Sequence, residues 1–468
     1  MRKAKIVATI GPASQSVDIL SQLIDAGVDV FRVNMSHGDY AFHATTISNI
    51  RKASQISGKV VGILMDLQGP KIRVDRITAP IELKAGEKYK IGVIDHSTGT
   101  NYIPTVYKNL VKDVKVKDRV LFDDGLLEAE VIEKHENTVE IKVITGGLLK
   151  SNKGINLPDS NVSAPSLTKK DKEDLQWGLG QDIDFVALSF VRTASDIHKV
   201  RDLIKASPTP HLPIIAKIEK PEALDNIVEI VDACDSIMIA RGDMAVEVGI
   251  HLVPKIQKML IRLCNKAGKP IITATQMLES MTTNTTPTRA EASDVSNSVW
   301  DGSDALMLSG ETASGINPVN VVKTMSKIIQ EAETLEKKRK NLLDPSNSFT
   351  TNLQLAATVL AENTNAKSII SISERGISTQ RLSAFRPKVQ IIGVTNDESV
   401  MRRMCLMWGV NPMLILQTDL KTDEIEKTII ERLFNEHELS KENTVVVCRA
   451  NSQKPYDGAN NSVKVLKI

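Results

Sequence analysis

Short apolar, β-branched runs alternate along most of this chain with longer stretches whose apolar residues recur every three or four positions. The runs at Lys5–Gly11, Val30–Ser36, Gly62–Leu67, Phe185–Phe190, Pro213–Glu219, Ser236–Arg241, Pro270–Gln276 and Asp304–Ser309 read as strands. Stretches such as Leu252–Ala267 and Asn320–Ala332 read as amphipathic helices. An open doubly wound sheet would show the same alternation. Eight strand–helix units favour closure, so the pattern predicts an α/β protein built on a (β/α)8 barrel.

The rhythm breaks after the third strand. From about Lys71 to Asn156, segments such as VKVKDRVLFDDG and TVEIKVITGG alternate apolar with polar residues, as half-buried antiparallel strands do. An all-β insertion on a βα loop sits at the catalytic end of a barrel, where it can act as a lid. Residues Glu333–Ser348 turn charged and then rich in Pro, Ser and Asn, which reads as a linker. Beyond it helices at Asn352–Asn363 and Thr379–Phe385 alternate with strands at Ser368–Ser373 and Val389–Thr395. Strands at Thr444–Arg449 and Val463–Ile468 follow. The expected organisation is a barrel over 1–70 and 156–335, an inserted β lid over 71–155, and a C-terminal α/β domain over 349–468.

Charge and composition narrow the function. A net charge of +2 and an aromatic content of 3% give no ground for a nucleic-acid or membrane-surface partner. An anionic ligand would need a local cluster of basic groups. Cys234, Cys264, Cys405 and Cys448 form no CxxC pair and are expected to be buried free thiols in a reducing cytosol. The N-terminus lacks a signal-peptide pattern and no run reaches the length of a membrane span, so a cytoplasmic location is expected.

Polar residues gather at the predicted strand ends. Arg32, Asn34 and Ser36 alternate along strand two, a poor core pattern that suits an anion or a salt-bridge network. Strand three ends in Asp66, with Lys71 and Arg73 just beyond the Gly69–Pro70 turn. Lys217 and Glu219 share a face of strand five, and Asp243 follows strand six in an RGD turn. Two carboxylates from adjacent strand ends suit Mg²⁺ or Mn²⁺, with waters and substrate oxygens completing the shell. Thr273 and Thr275 alternate on strand seven, and Ser309 and Glu311 follow strand eight. Each of these alone also has a structural explanation, such as a helix cap, an ion pair or a backbone-bonded hydroxyl.

The segments KIVATIGPAS, FRVNMSHG, DLQGPKIR, KGINLP, AKIEKPEA, IMIARGDM, ATQMLESM, PTRAEASDV and MLSGETA, in this order, closely resemble the pyruvate kinase family. The resemblance implies transfer of the phosphoryl group of phosphoenolpyruvate to ADP. It implies that Arg32 binds the substrate phosphate and Lys217 neutralises the moving group. Glu219 and Asp243 would hold the divalent ion, and Gly242, Asp243 and Thr275 would bind substrate. Asn34, His37, Arg73 and Lys153 would attend the nucleotide, and Thr275 could help deliver a proton. Asn34, Ser36, Asp66, Leu67 and Lys71 match a site that holds K⁺ in many relatives. Lys71 stands where many of them have Glu, so no K⁺ requirement is expected. Family members are commonly homotetramers. Ser373, Arg375, Gly376, Ser378 and Thr379 match an effector loop, altered by Arg375 and Glu374. RGDMAVEVG also departs from the family's pattern at Ala245 and Gly249. Competing readings are a phosphoenolpyruvate- or pyruvate-handling barrel lyase or aldolase, and a non-catalytic metabolite sensor.

Overall fold

The computed structural model describes residues 2–93, 101–335, 348–415, 424–436, 438–449 and 461–468. Eight parallel strands close a barrel: β1 (Lys5–Thr9), β2 (Val30–Asn34), β3 (Gly62–Asp66), β4 (Phe185–Leu188), β5 (Ile214–Ile218), β6 (Ser236–Ala240), β7 (Ile271–Ala274) and β8 (Ala305–Leu308). Each strand pairs with its neighbours in sequence, and β8 pairs with β1. All eight expected strands are present, each ending one or two residues sooner than the apolar run. The trailing residues (Ser36, Phe190, Glu219, Gln276 and Ser309 among them) lie on the rim instead.

The barrel interior is filled by one face of each strand. Val7, Val30, Leu64, Phe185, Ala187, Ile215, Met238, Ile272, Ala274, Ala305 and Met307 form this inner core. Strand side chains repeat every two residues, so the inward column continues upward from Val30 to Arg32, Leu64 to Asp66, Ala187 to Ser189 and Ile215 to Lys217. The same face that packs the barrel floor therefore turns polar at its C-terminal rim. The outward faces join the helices in a larger core, which includes Leu20, Ile47, Leu175, Val200, Leu260 and Met325. The amphipathic stretches appear as helices Val253–Ala267 and Pro318–Thr334.

The segment after β3 forms a six-stranded sheet and a two-stranded ribbon, with its own buried core around Ile91, Phe122, Val131 and Ile141. Gly69 marks the exit from the barrel. Its φ is 72°, and a Cβ there would lie 2.7 Å from a Phe190 ring carbon, so only glycine fits.

The C-terminal sheet runs in the order Val410–Leu414, Gln390–Thr395, Ser368–Ile372, Thr444–Arg449 and Ser462–Lys467, with the last strand antiparallel. The strand Val410–Leu414 and the helices Glu398–Met404 and Glu424–Asn435 escaped the sequence pattern. That strand carries Pro412, which is tolerated because it lies at a sheet edge. The expected linker falls largely on 336–347, outside the described residues.

The C-terminal unit docks beneath the barrel. Cys405 and Leu406 complete the inner barrel core, and Lys5 Nζ donates to the Val410 carbonyl at 2.7 Å. The joint also contains a buried charge cluster. Fully buried Asp184 accepts from Arg51 Nη2 at 2.6 Å, from Arg402 Nε at 2.8 Å and from the Ile63 backbone N–H at 2.8 Å. Removing a shared buried partner strands the others. Asp184→Ala should cost about 3–5 kcal/mol of stability, read as a lower guanidinium midpoint at unchanged secondary-structure content.

Candidate active site at the barrel rim

The groups singled out in β2, β3 and β5, and the loops after β5, β6 and β7, all lie at the C-terminal end of the barrel. At the centre is Lys217. Its ammonium lies 3.1 Å from Glu219 Oε1 and 3.3 Å from Asp66 Oδ1, and donates to Ser189 Oγ at 2.6 Å. Asp66 Oδ2 accepts from Arg32 Nε at 2.7 Å, and Arg32 Nη1 reaches Thr9 Oγ1 at 3.1 Å. Two cations and two anions thus alternate through one water-poor patch.

Burial would strip the proton from Lys217, but the charges of Asp66 and Glu219 outweigh it and raise its pKa above the ordinary lysine value. Burial pushes the Asp66 carboxyl up, yet Lys217 and Arg32 together hold it below the usual carboxylate range. Glu219 goes the other way. Burial raises it, Lys217 lowers it, the charge of Asp243 raises it further, and the net direction is upward. A carboxylate whose ionised form is under strain invites an added cation.

That cation has a fitting donor set. Glu219 Oε2 accepts from the Phe190 backbone N–H at 2.8 Å, while the buried Oε1 faces Lys217 and accepts no hydrogen bond. Asp243 is more open and lies 3.7 Å from Lys71 Nζ. These two hard oxygen ligands suit a divalent ion that draws its remaining ligands from water and substrate. The sequence placed Asp243 in a tight turn. It stands instead in the first turn of helix Arg241–Val248, which starts directly after β6.

Thr275 has φ 68° and Gln276 φ 53°, and a β-branched residue in that region is strained. Arg241 holds the turn. Its guanidinium donates to the carbonyls of Ala274, Thr275 and Gln276 at 3.3, 2.7 and 3.3 Å, and is anchored on Asp294 at 2.8 Å. In this conformation Thr275 Oγ1 accepts from the Gly242 backbone N–H at 2.8 Å, so these two predicted substrate ligands meet. Thr273 does not join them. It is buried in the wall and bonded to Ser303 at 2.7 Å.

The other predicted residues make local contacts of their own. Asn34 Oδ1 accepts from the Ser36 N–H at 3.2 Å, and His37 is exposed on the same rim. In the inserted β unit, Arg73 donates to the Asn152 carbonyl at 3.0 Å and Lys153 pairs with Asp123 at 2.7 Å. Leu67 is buried, and its carbonyl accepts from Ser189 Oγ at 2.7 Å. Glu311 folds back onto the Ser309 and Leu278 N–H groups at 2.6 and 3.1 Å. In the C-terminal unit Arg375 is exposed and Gly376 has φ 77°, whereas Ser373 and Ser378 are buried and Thr379 turns inward to Ser371 at 2.9 Å. All four cysteines are free and buried, as expected, and burial pushes the thiols of Cys234, Cys405 and Cys448 up to about 12.

Sequence reasoning overlooked Ser189 and Arg241. Ser189 lies two residues beyond inward-facing Ala187, a parity signal that was available. Arg241 gave no such signal, because its partners come from a loop more than thirty residues away.

Family models for the pyruvate kinase barrel domain and the pyruvate kinase alpha/beta domain match residues 1–322 and 352–466. The chain belongs to the pyruvate kinase family. Pyruvate kinase from Geobacillus stearothermophilus is 46% identical over 418 residues, covering 87% of this chain and 71% of that protein. Pyruvate kinase from Sporosarcina psychrophila is 41% identical over 472 residues, covering 99% and 80%. A solved pyruvate kinase structure from Cryptosporidium parvum superposes with a TM-score of 0.93 at 34% identity, covering 100% and 96%. Like the pyruvate kinases it matches, this chain is a phosphotransferase.

The sign of the Asp66 shift gives a test. A carboxyl held below its ordinary value contributes stability above pH 3.8 and loses it as pH falls through the depressed value. Asp66→Asn should therefore lower the melting temperature at neutral pH, and the gap to the native chain should close as pH falls below 3.8. Thermal unfolding across a pH series checks this.

Proposed function

We propose that this rim transfers the phosphoryl group of phosphoenolpyruvate to ADP, giving pyruvate and ATP, the glycolytic reaction EC 2.7.1.40. The observation that carries the reading is the buried Lys217 ammonium, held between Asp66 and Glu219 at 3.3 and 3.1 Å beside a second, more open carboxylate. Phosphoryl transfer asks a protein for positioning and charge neutralisation. Lys217 and Arg32 supply two fixed positive charges to the phosphoryl oxygens. Gly242 and Thr275 receive the substrate carboxylate, orienting the enol phosphate. Glu219 and Asp243 would hold Mg²⁺ or Mn²⁺, which would supply charge neutralisation at the phosphoryl group. Arg73 and Lys153 face the nucleotide phosphates, with Asn34 and His37 beside them. The P–O bond to the enol oxygen breaks as the bond to the ADP oxygen forms. The resulting enolate then takes one proton at carbon, and the Thr275 hydroxyl is the candidate relay.

The segments 1–70 and 156–335 act as the catalytic barrel, 71–155 as a lid and 349–468 as a candidate effector domain. Ser373, Arg375, Gly376, Ser378 and Thr379 would form the effector loop. Inward-facing Thr379 leaves Arg375 as its main phosphate contact. The protein is read as a cytoplasmic homotetramer. No described helix is long and apolar enough to cross a membrane.

K⁺ is not required in this reading. Both Asp66 oxygens already face Arg32 and Lys217, and the Lys71 ammonium stands 3.7 Å from Asp243. An added cation would meet these charges. A lactate dehydrogenase-coupled assay with ADP, Mg²⁺ and phosphoenolpyruvate should give the same kcat with and without K⁺ in Na⁺-free buffer. A strict K⁺ requirement would contradict it.

Lys217→Met should lower kcat by about 10²–10³-fold or more while phosphoenolpyruvate still binds, as judged by calorimetric titration. Turnover near the native rate would remove Lys217 from its role.

A further inference from the structure

Glu247 has no assigned part in the reaction, yet it is almost fully buried beneath the rim. Its Oε1 takes Lys220 Nζ at 2.7 Å and Asn156 Nδ2 at 2.8 Å, and both partners are themselves at least nine-tenths buried. Each of the three comes from a different part of the site. Lys220 directly follows Glu219. Glu247 stands one helical turn beyond Asp243 on the helix Arg241–Val248. Asn156 ends the strand on which the inserted unit returns to the barrel, and it pairs there with Leu121 in the unit's own sheet.

A buried carboxylate is costly, and Oε2 accepts no hydrogen bond. A hydrophobic trio of similar size would pack the same space without that cost. What the ionic arrangement adds is direction. One oxygen fixes the two segments that carry Glu219 and Asp243, and fixes the inserted unit to both.

We propose that Glu247 is a positioning residue that registers the inserted β unit, through Asn156, against the strand end and helix bearing Glu219 and Asp243. The inference rests on the reading of that unit as the carrier of Arg73 and Lys153 to the nucleotide. Its consequence is selective. Loosening Asn156 displaces the nucleotide contacts and leaves the Glu247–Lys220 pair, the barrel and the phosphoenolpyruvate groups in place.

Asn156→Ala is the test, because it leaves the ion pair intact. It should raise the KM for ADP about tenfold, the scale of one hydrogen bond to a charged acceptor. The KM for phosphoenolpyruvate should stay at its native value. Hydrogen exchange of the return segment 155–157 should quicken in the ligand-free protein. Arg73→Ala, run in parallel, separates the two layers of the argument. If Arg73→Ala raises the ADP KM and Asn156→Ala does not, the positioning role of Glu247 is wrong and the nucleotide reading stands. If neither variant raises it, both fall. Equal increases in the two KM values with a lowered melting temperature would mark the node as ordinary packing and also overturn the inference.

Discussion

Burying an ammonium group is costly unless its charge is answered, and at Lys217 three side chains answer it. Asp66, Ser189 and Glu219 follow three adjacent strands, so the ammonium can be satisfied only when β3, β4 and β5 are paired in register. The arrangement is not neutralised to rest. Glu219 keeps a raised pKa because burial and the nearby Asp243 both work against its ionised form. The site is therefore assembled with a buried carboxylate whose ionised form is disfavoured, beside the fixed positive charges of Lys217 and Arg32. Both features follow from placing the same few charges in a dry, rigid mouth, where electrostatic interactions are strong and little reorganisation is needed.

The barrel supplies that rigidity by continuity. Each inward column that packs the floor with Val30, Leu64, Ala187 or Ile215 delivers a functional group two residues later. A slip of one residue in any strand would turn its polar end into the wall and an apolar residue into the mouth. The floor is sealed from below by Cys405 and Leu406 of the C-terminal unit, and that joint is fastened through Asp184. The rim groups at the top and the domain joint at the bottom thus share one packed core.

The loops after β6 and β7 show how strain is held at such a mouth. Thr275 and Gln276 adopt left-handed backbone angles that neither residue favours, and one arginine from the neighbouring loop bonds three successive carbonyls to keep them there. The hydroxyl that results sits against the Gly242 N–H. The inserted unit is fastened by comparable means, with Gly69 supplying the conformation at its exit and Asn156 the anchor at its return.

Much of this could be read along the chain. Apolar periodicity gave the eight strands, the interruption and the second α/β unit, because a period of two or 3.6 residues is a local property. Polar residues on an inward face marked Arg32, Asp66, Lys217 and Glu219, because charge is out of place in a packed core. Strand limits were too long by a residue or two, since a strand end depends on when its neighbour stops pairing. Asp243 was given a turn where a helix begins. The contributions of Arg241 and Glu247 were hidden for one reason: each acts through partners far away in sequence. Which residues could be charged and inward was settled by the chain itself. Which of those charges would meet, and at what distance, was decided only by closing the barrel and seating the β unit and the C-terminal unit upon it.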